Sequence, residues 1–216
     1  MRKQRVLTAK GRKVSSTKWI ARHINDDYVI MAKKQGFRSR AAFKLLNIDL
    51  KYQILKTCKN CIIDLGCAPG SWLQVIKQKA NPATLILGVD IIEVQPIDGT
   101  IALLGDFTEQ HTITSLISYI NNRSVDFVVS DMAAPASGDR HIDHIRIMHL
   151  VTQALHFSIL NLCHDGHFIA KLLQGNKIAS IMALTKKHFK KVELFKPEAS
   201  YKDSSEIFLI ALGKNE

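Results

Sequence analysis

From Cys61 onward the chain alternates between short apolar runs that close on Gly or Asp and longer stretches in which apolar residues recur every third or fourth position. The runs CIIDLG, TLILGVD, IALLGD, VDFVVSD and HFIAKLL have strand length. The intervening stretches Ser71 to Lys79, His111 to Ile120, about Ile142 to Leu162 and about Lys177 to Phe189 have helical spacing, and Pro96 to Gly99 reads as a short turn. Strand alternating with helix specifies a βαβ sheet whose strands run parallel. The final runs, KKVELFK and EIFLIAL, follow each other across a polar loop, which predicts an antiparallel pairing at the end of the sheet. Before Cys61, DDYVIMAKKQGFRSRAAFKLLNIDLKY has helical spacing, with Ala41, Ala42, Leu45 and Leu46 on one face and Arg38, Arg40 and Lys44 nearby. It reads as a basic helical lead-in. No internal repeat interrupts this pattern.

The length, 216 residues, suits one domain with a substantial core, and no apolar run approaches the roughly 20 residues that span a bilayer. Charge changes the picture more. Thirty Lys and Arg against nineteen Asp and Glu give +11, a balance that attracts polyanions. Arg2, Lys3, Arg5, Lys10, Arg12, Lys13, Lys18 and Arg22 all precede Asp26, the first acid. The division expected is therefore a basic arm over 1–25 and a single domain over 26–216. The arm reads as a phosphate-contacting segment, with a solvated tail or an organelle-targeting segment as alternatives; it lacks the apolar stretch of a secretory signal. Cys58, Cys61, Cys67 and Cys163 fit a reducing compartment without a disulfide framework. Cys58 and Cys61 form C-x-x-C, but no second pair completes a zinc site, and His141 with His144 and His164 with His167 lack accompanying ligands. No metal is expected.

Ligands of open α/β sheets bind outside the carboxyl ends of the strands. There the first strand carries a loop with Gly66 and Gly70, in IIDLGCAPGSW. The loop matches neither G-x-G-x-x-G nor a Walker sequence, so a phosphate-poor nucleoside fits better than a dinucleotide or a nucleoside triphosphate. Asp90 ends the second strand, where a carboxylate can accept both ribose hydroxyls; Asp106 ends the third, where one can accept from an adenine amino group. Either acid alone would read as a turn cap; three suitable strand ends in succession describe an adenosine pocket.

With SSTKWIARHINDDYV, GFRSRAAFKL, DLGCAPGSW, SDMA, DHIRIMHLV, FIAKLLQG and KPEASYKDSSEIFLIA in this order, the chain resembles the FtsJ/RrmJ family of S-adenosylmethionine-dependent ribosomal RNA methyltransferases. The likeness covers nearly the whole chain. It implies a Rossmann-like methyltransferase fold, a mostly parallel seven-stranded sheet with a terminal antiparallel strand. The activity it implies is methylation of a uridine ribose 2'-hydroxyl in large-subunit rRNA, with S-adenosylmethionine as donor and no metal. Two departures stand out: APGSW where the family commonly has Ala-Pro-Gly-Gly-Trp, with Ser71 suited to a helix cap, and DMAAPA where many members have Asp-Met-Ala-Pro-Asn.

Removing a ribose hydroxyl proton needs a base, and a lysine serves only when its pKa falls below about 10.4, by burial or a neighbouring cation. Lys171 lies in an apolar strand, where either a functional role or a snorkelling side chain would fit. By resemblance Lys171 is the general base, and Lys44, Asp131 and Glu206 complete a Lys-Asp-Lys-Glu tetrad, the lysines being expected to perturb each other and Asp131 to orient the base beside the donor. Gly70 and Trp72 would border the methionine portion; Trp72 alone reads equally as a core aromatic. Arg38, Arg40 and the arm are expected to grip RNA phosphates. A transfer RNA or messenger-cap target, or a non-catalytic assembly factor, is the competing reading. A monomer acting on rRNA within the large subunit, away from membranes, is expected; bacterial cytoplasm is expected rather than an organelle because the arm runs smoothly into SSTKW.

Overall fold

The structure, a computed structural model, describes residues 14–135, 137–175 and 178–216. Three helices lead in: α1 (Val14–Ile24), α2 (Asp27–Gln35) and α3 (Ala42–Tyr52). There follow β1 (Cys61–Leu65), α4 (Ser71–Lys79), β2 (Leu85–Asp90), β3 (Ile101–Leu104), α5 (Gln110–Ile120), β4 (Val125–Ser130), α6 (Arg140–Asn161), β5 (Leu162–Leu173), α7 (Ile178–His188), β6 (Phe189–Phe195) and β7 (Glu206–Lys214). The seven strands make one sheet in the order β3-β2-β1-β4-β5-β7-β6. β1 to β5 run parallel, and β7 is antiparallel to both of its neighbours, β5 and β6. The antiparallel ending expected from the sequence is present; what the sequence pattern did not convey is that the last strand inserts between β5 and β6.

The stretch from Asp26 to Tyr52, which has helical spacing in the sequence, forms two helices, α2 and α3. Gly36, at φ 75, closes α2 with its N–H on Ala32 O and Lys33 O, and Phe37 N returns to Ala32 O. A left-handed residue at this point ends a helix at little cost only when it lacks a Cβ. Asp26 caps the same helix at its start, accepting from Tyr28 N and Val29 N. Of the basic arm, the cations through Lys13 lie outside the described residues, and α1 carries the remainder.

Strand alternation divides the core into two layers. Ile63 and Leu65 pack with Leu116 of α5, Met148 and Leu155 of α6 and Ile181 of α7. Ile62, Phe127, Ile169 and Phe208 pack on the other side with Leu45 and Ile48 of α3 and Leu73 and Ile76 of α4. β1 is buried along its whole length, as a central strand covered on both faces must be. The strand order reverses between β1 and β4, and the connections of these two strands diverge to opposite sides there, leaving a crevice at their carboxyl ends. Among the described residues no helix is long and apolar enough to cross a membrane.

Candidate active site

At those carboxyl ends lies a cavity of about 480 Å³. Its apolar walls include Phe107, Met132, Pro135, Ile145 and Leu150, and Gly66, Asp90 and Asp106 also line it. Gly66 has φ +82, and a Cβ there would lie 2.8 Å from Met132 Cα, so only glycine lets the two loops approach. Asp90 Oδ2 accepts from Ala68 N at 2.8 Å and Oδ1 from Ile92 N at 2.9 Å. Asp106 Oδ1 accepts from Thr108 N at 2.8 Å and from Thr108 Oγ1 at 2.7 Å. These bonds hold the Asp106 carboxyl below its ordinary value, as an ionised acceptor. Each acid thus stiffens its own turn and also borders the cavity. Arg146 and His149 of α6 line the same cavity; sequence reasoning did not single them out.

Gly66 is shared with a small niche lined by Ala41, Cys67, Ala68, Pro69, Ser71, Trp72 and Asp131. The α4 cap is Gly70, at φ 104, not Ser71, whose hydroxyl instead lies 2.6 Å from that of Ser39. A Cβ on Gly70 would meet Arg38 Nη1 at 2.7 Å. Trp72 is 3% exposed, donates Nε1–H to Ala41 O at 2.8 Å and packs against Phe208, its ring serving as a core aromatic.

Beyond the niche, four elements bring Lys171, Asp131, Lys44 and Glu206 into one chain of contacts. Lys171 of β5 donates to Asp131 O at 2.7 Å, and its Nζ lies 2.9 Å from Asp131 Oδ1. Asp131 Oδ2 is 3.8 Å from Lys44 Nζ, and Lys44 of α3 donates to Glu206 Oε2 at 2.7 Å. The inserted β7 is what delivers Glu206: the register pairs Leu173 with Glu206 and Lys171 with Phe208. The four side chains are 10 to 16% exposed. Burial alone would raise the Asp131 carboxyl, but the Lys171 and Lys44 charges outweigh it and hold the group below its ordinary value. Burial likewise lowers Lys44, yet Asp131 and Glu206 more than reverse this, so Lys44 sits above the ordinary lysine value. The expectation that the lysines depress one another fails for Lys44, because Asp131 stands between them and Glu206 holds Lys44 from its other side.

The two arginines expected on RNA phosphate turn their guanidinium groups to the protein. Arg38 donates to Pro69 O, Gln95 O and Pro96 O at 2.7 to 3.0 Å, clamping the loop after β1 to the loop after β2. Arg40 pairs with Asp26 and donates to Ala199 O.

Sequence reasoning also passed over Asp64 and Ser200. Asp64 is fully buried within β1, on the Ile62 side, and among the described residues neither of its carboxyl oxygens has a hydrogen-bond partner. Burial first, then the charges of Asp131 and Asp90, raise it well above the carboxylate range, so it is a neutral acid. An acid inside the run CIIDL was the available signal. Ser200, 6% exposed, donates to Glu206 Oε1 at 2.7 Å, and nothing in its polar loop distinguished it beforehand. Cys58 and Cys61 are buried thiols raised by burial to about 12.

The FtsJ-like methyltransferase family model matches residues 37–214. Among curated proteins, the ribosomal RNA large subunit methyltransferase E of Cereibacter sphaeroides is 45% identical, over 97% of this chain and 88% of its own length. The protein of the same description from Novosphingobium aromaticivorans is 43% identical, over 97% and 93%. Among solved structures, a Plasmodium falciparum protein described as a ribosomal RNA methyltransferase superposes with a TM-score of 0.74 at 28% identity, over 82% of this chain and 98% of that one.

Proposed function

The chain belongs to the FtsJ-like methyltransferase family, and from that premise we propose that it methylates the ribose 2'-hydroxyl of a uridine in large-subunit ribosomal RNA, with S-adenosylmethionine as donor. The observation that carries this reading is the buried chain Lys171–Asp131–Lys44–Glu206 adjoining a cavity of nucleoside-binding chemistry. The names of the relatives, all ribosomal RNA large subunit methyltransferase E, support the substrate class.

The donor pocket suits the donor. Asp90 and Asp106 supply acceptors for ribose hydroxyls and an adenine amino group, between apolar walls. Asp131, held below its ordinary value and lining the niche beside the donor loop, places a negative charge where a ligand carrying positive charge would lie. S-adenosylmethionine supplies an activated methyl group on a cationic sulfur.

The residues of the chain do the rest by holding and taking a proton. Lys44 stays an ammonium between Asp131 and Glu206, so Lys171 is the lysine left to act as base. The Lys171 amino group points at Asp131 O and Oδ1, so in the amine form that a base requires its lone pair is turned away from Asp131. That lone pair takes the 2'-hydroxyl proton: the O–H bond breaks, an N–H bond forms, and the oxygen becomes nucleophilic. Glu206, held by Lys44 and Ser200, is fixed as an acceptor that orients Lys44. Arg38 keeps the donor loops in register.

The test is methyl transfer from labelled S-adenosylmethionine to undermodified large ribosomal subunits, transfer RNA and capped messenger RNA, with wild type and Lys171→Ala. Lysine-dependent label on large-subunit RNA is expected; label confined to another RNA would move the substrate, and binding without transfer to any would leave an assembly factor.

A further inference from the structure

We propose that the outer face of Tyr201 is a stacking site for an RNA base, the base of a nucleotide neighbouring the one methylated. The proposal rests on the reading of the substrate as RNA.

Tyr201 stands in the loop between β6 and β7. The guanidinium carbons of Arg22 and Arg40 each lie 3.7 Å from its ring centroid. Two planar cations that close to one centroid occupy opposite faces, and the two faces differ in kind. Arg40 is 14% exposed, pairs with the buried Asp26 and donates to Ala199 O, so it backs the inner face permanently. Arg22 belongs to α1, is 46% exposed, and is otherwise held by Asp203, which is 68% exposed. An exposed pair of this sort is weak and screened by salt, so an RNA phosphate can draw Arg22 away from Asp203. The guanidinium then leaves the position a planar base takes on an aromatic ring.

The loop presents the ring rigidly and at a useful place. Ala199 N donates to Asn47 Oδ1 at 2.9 Å, Ser204 N to Tyr201 O at 3.1 Å, and Lys196 Nζ to Ser204 O at 2.6 Å. The residue before Tyr201 is Ser200, whose hydroxyl holds Glu206. The stacking face is therefore one residue along the chain from the side chain that holds Glu206, which ties its position to the tetrad.

Fluorescence anisotropy with a labelled oligouridylate, and with the same sugar-phosphate chain lacking bases, tests this. Tyr201→Ala is expected to weaken oligouridylate binding roughly five- to 150-fold, the effect of losing one stacked base, and to leave binding of the abasic chain unchanged. Tyr201→Phe keeps the face and retains both affinities; Tyr201→Leu, which keeps apolar bulk without a π-face, behaves as Ala and substitutes for it if that variant does not fold. Arg22→Ala weakens oligouridylate binding by less than Tyr201→Ala does. Unchanged oligouridylate affinity in Tyr201→Ala, equal losses on both chains, or equal losses in Tyr201→Phe and Tyr201→Ala would overturn the proposal. Failure of wild type to bind either chain would instead count against the RNA substrate, and the stacking site would fall with it.

Discussion

Replacing Asp64 by Asn tests the electrostatics of the pocket without touching the tetrad. Asp64 is fully buried, its oxygens are unpartnered among the described residues, and burial with the nearby Asp131 and Asp90 charges raises its carboxyl well above the ordinary range. A group with a raised acid pKa keeps its proton in the folded protein and loses it in the unfolded chain. The folded state then binds the extra proton, so stability falls as pH rises from the ordinary carboxylate value, about 4, toward the folded value. The slope from this single group is about 1.4 kcal/mol per pH unit. For a domain of this size that is about 3–6 °C of melting temperature per unit. Asn has the same shape and cannot ionise, so Asp64→Asn removes the slope. Thermal melts of donor-free protein between about pH 5 and 7 should show the variant melting above wild type, by a margin that widens with pH. Parallel pH profiles, or a variant that melts lower throughout, would refute the assignment of Asp64 as a buried neutral acid.

Lys171→Ala should abolish methyl transfer while calorimetric binding of S-adenosylmethionine persists; retained turnover would remove Lys171 as the base. Asp106→Ala removes an ionised acceptor at the cavity and should weaken donor binding about 10- to 150-fold, the range for a hydrogen bond to a charged group; unchanged affinity would sink the adenine assignment. Asp131→Asn leaves Lys44 and Lys171 without the anion between them and should cost about 3–5 kcal/mol, read as a fall in melting temperature at neutral pH. Because the folded Asp131 carboxyl lies below its ordinary value, its contribution is present above that value and lost as pH falls through the folded one, so the difference between wild type and variant should shrink on acidification. Arg38→Ala frees the carbonyls of Pro69, Gln95 and Pro96 and should lower donor affinity while the salt dependence of RNA binding stays as in wild type; a reduced salt slope would return Arg38 to the phosphates.

Much of the fold was legible because both of its periodicities are clean. α4 runs from Ser71 to Lys79 as the apolar spacing indicated, and the strands begin and end close to the apolar runs. The insertion of β7 between β5 and β6 was not legible, since strand order depends on long-range pairing that alternation does not encode. The strand-end acids Asp90 and Asp106 were legible as residues that hold turns and border the cavity, because turn chemistry and ligand chemistry want the same residue type at a strand end. Lys171 was visible as a charge in an apolar strand; Asp64 carries the same kind of signal in β1, four strands earlier, where the adjoining glycine loop is the stronger pattern. Arg38 and Arg40 were read from charge alone, and charge does not say whether a guanidinium meets phosphate or a carbonyl. Ser200 and Tyr201 sit in an unpatterned loop, where only the folded contacts with Glu206, Arg22 and Arg40 show what they do.

The most direct test of the central claim is the chemical position of the transferred methyl group. RNA from large subunits labelled by the wild-type protein should be digested with alkali, which needs a free 2'-hydroxyl to cleave the neighbouring phosphodiester. The account predicts label in an alkali-resistant dinucleotide beginning with uridine, absent with Lys171→Ala; label in alkali-released mononucleotides would place the methyl on a base and contradict the assignment of Lys171 as a base acting on a ribose oxygen.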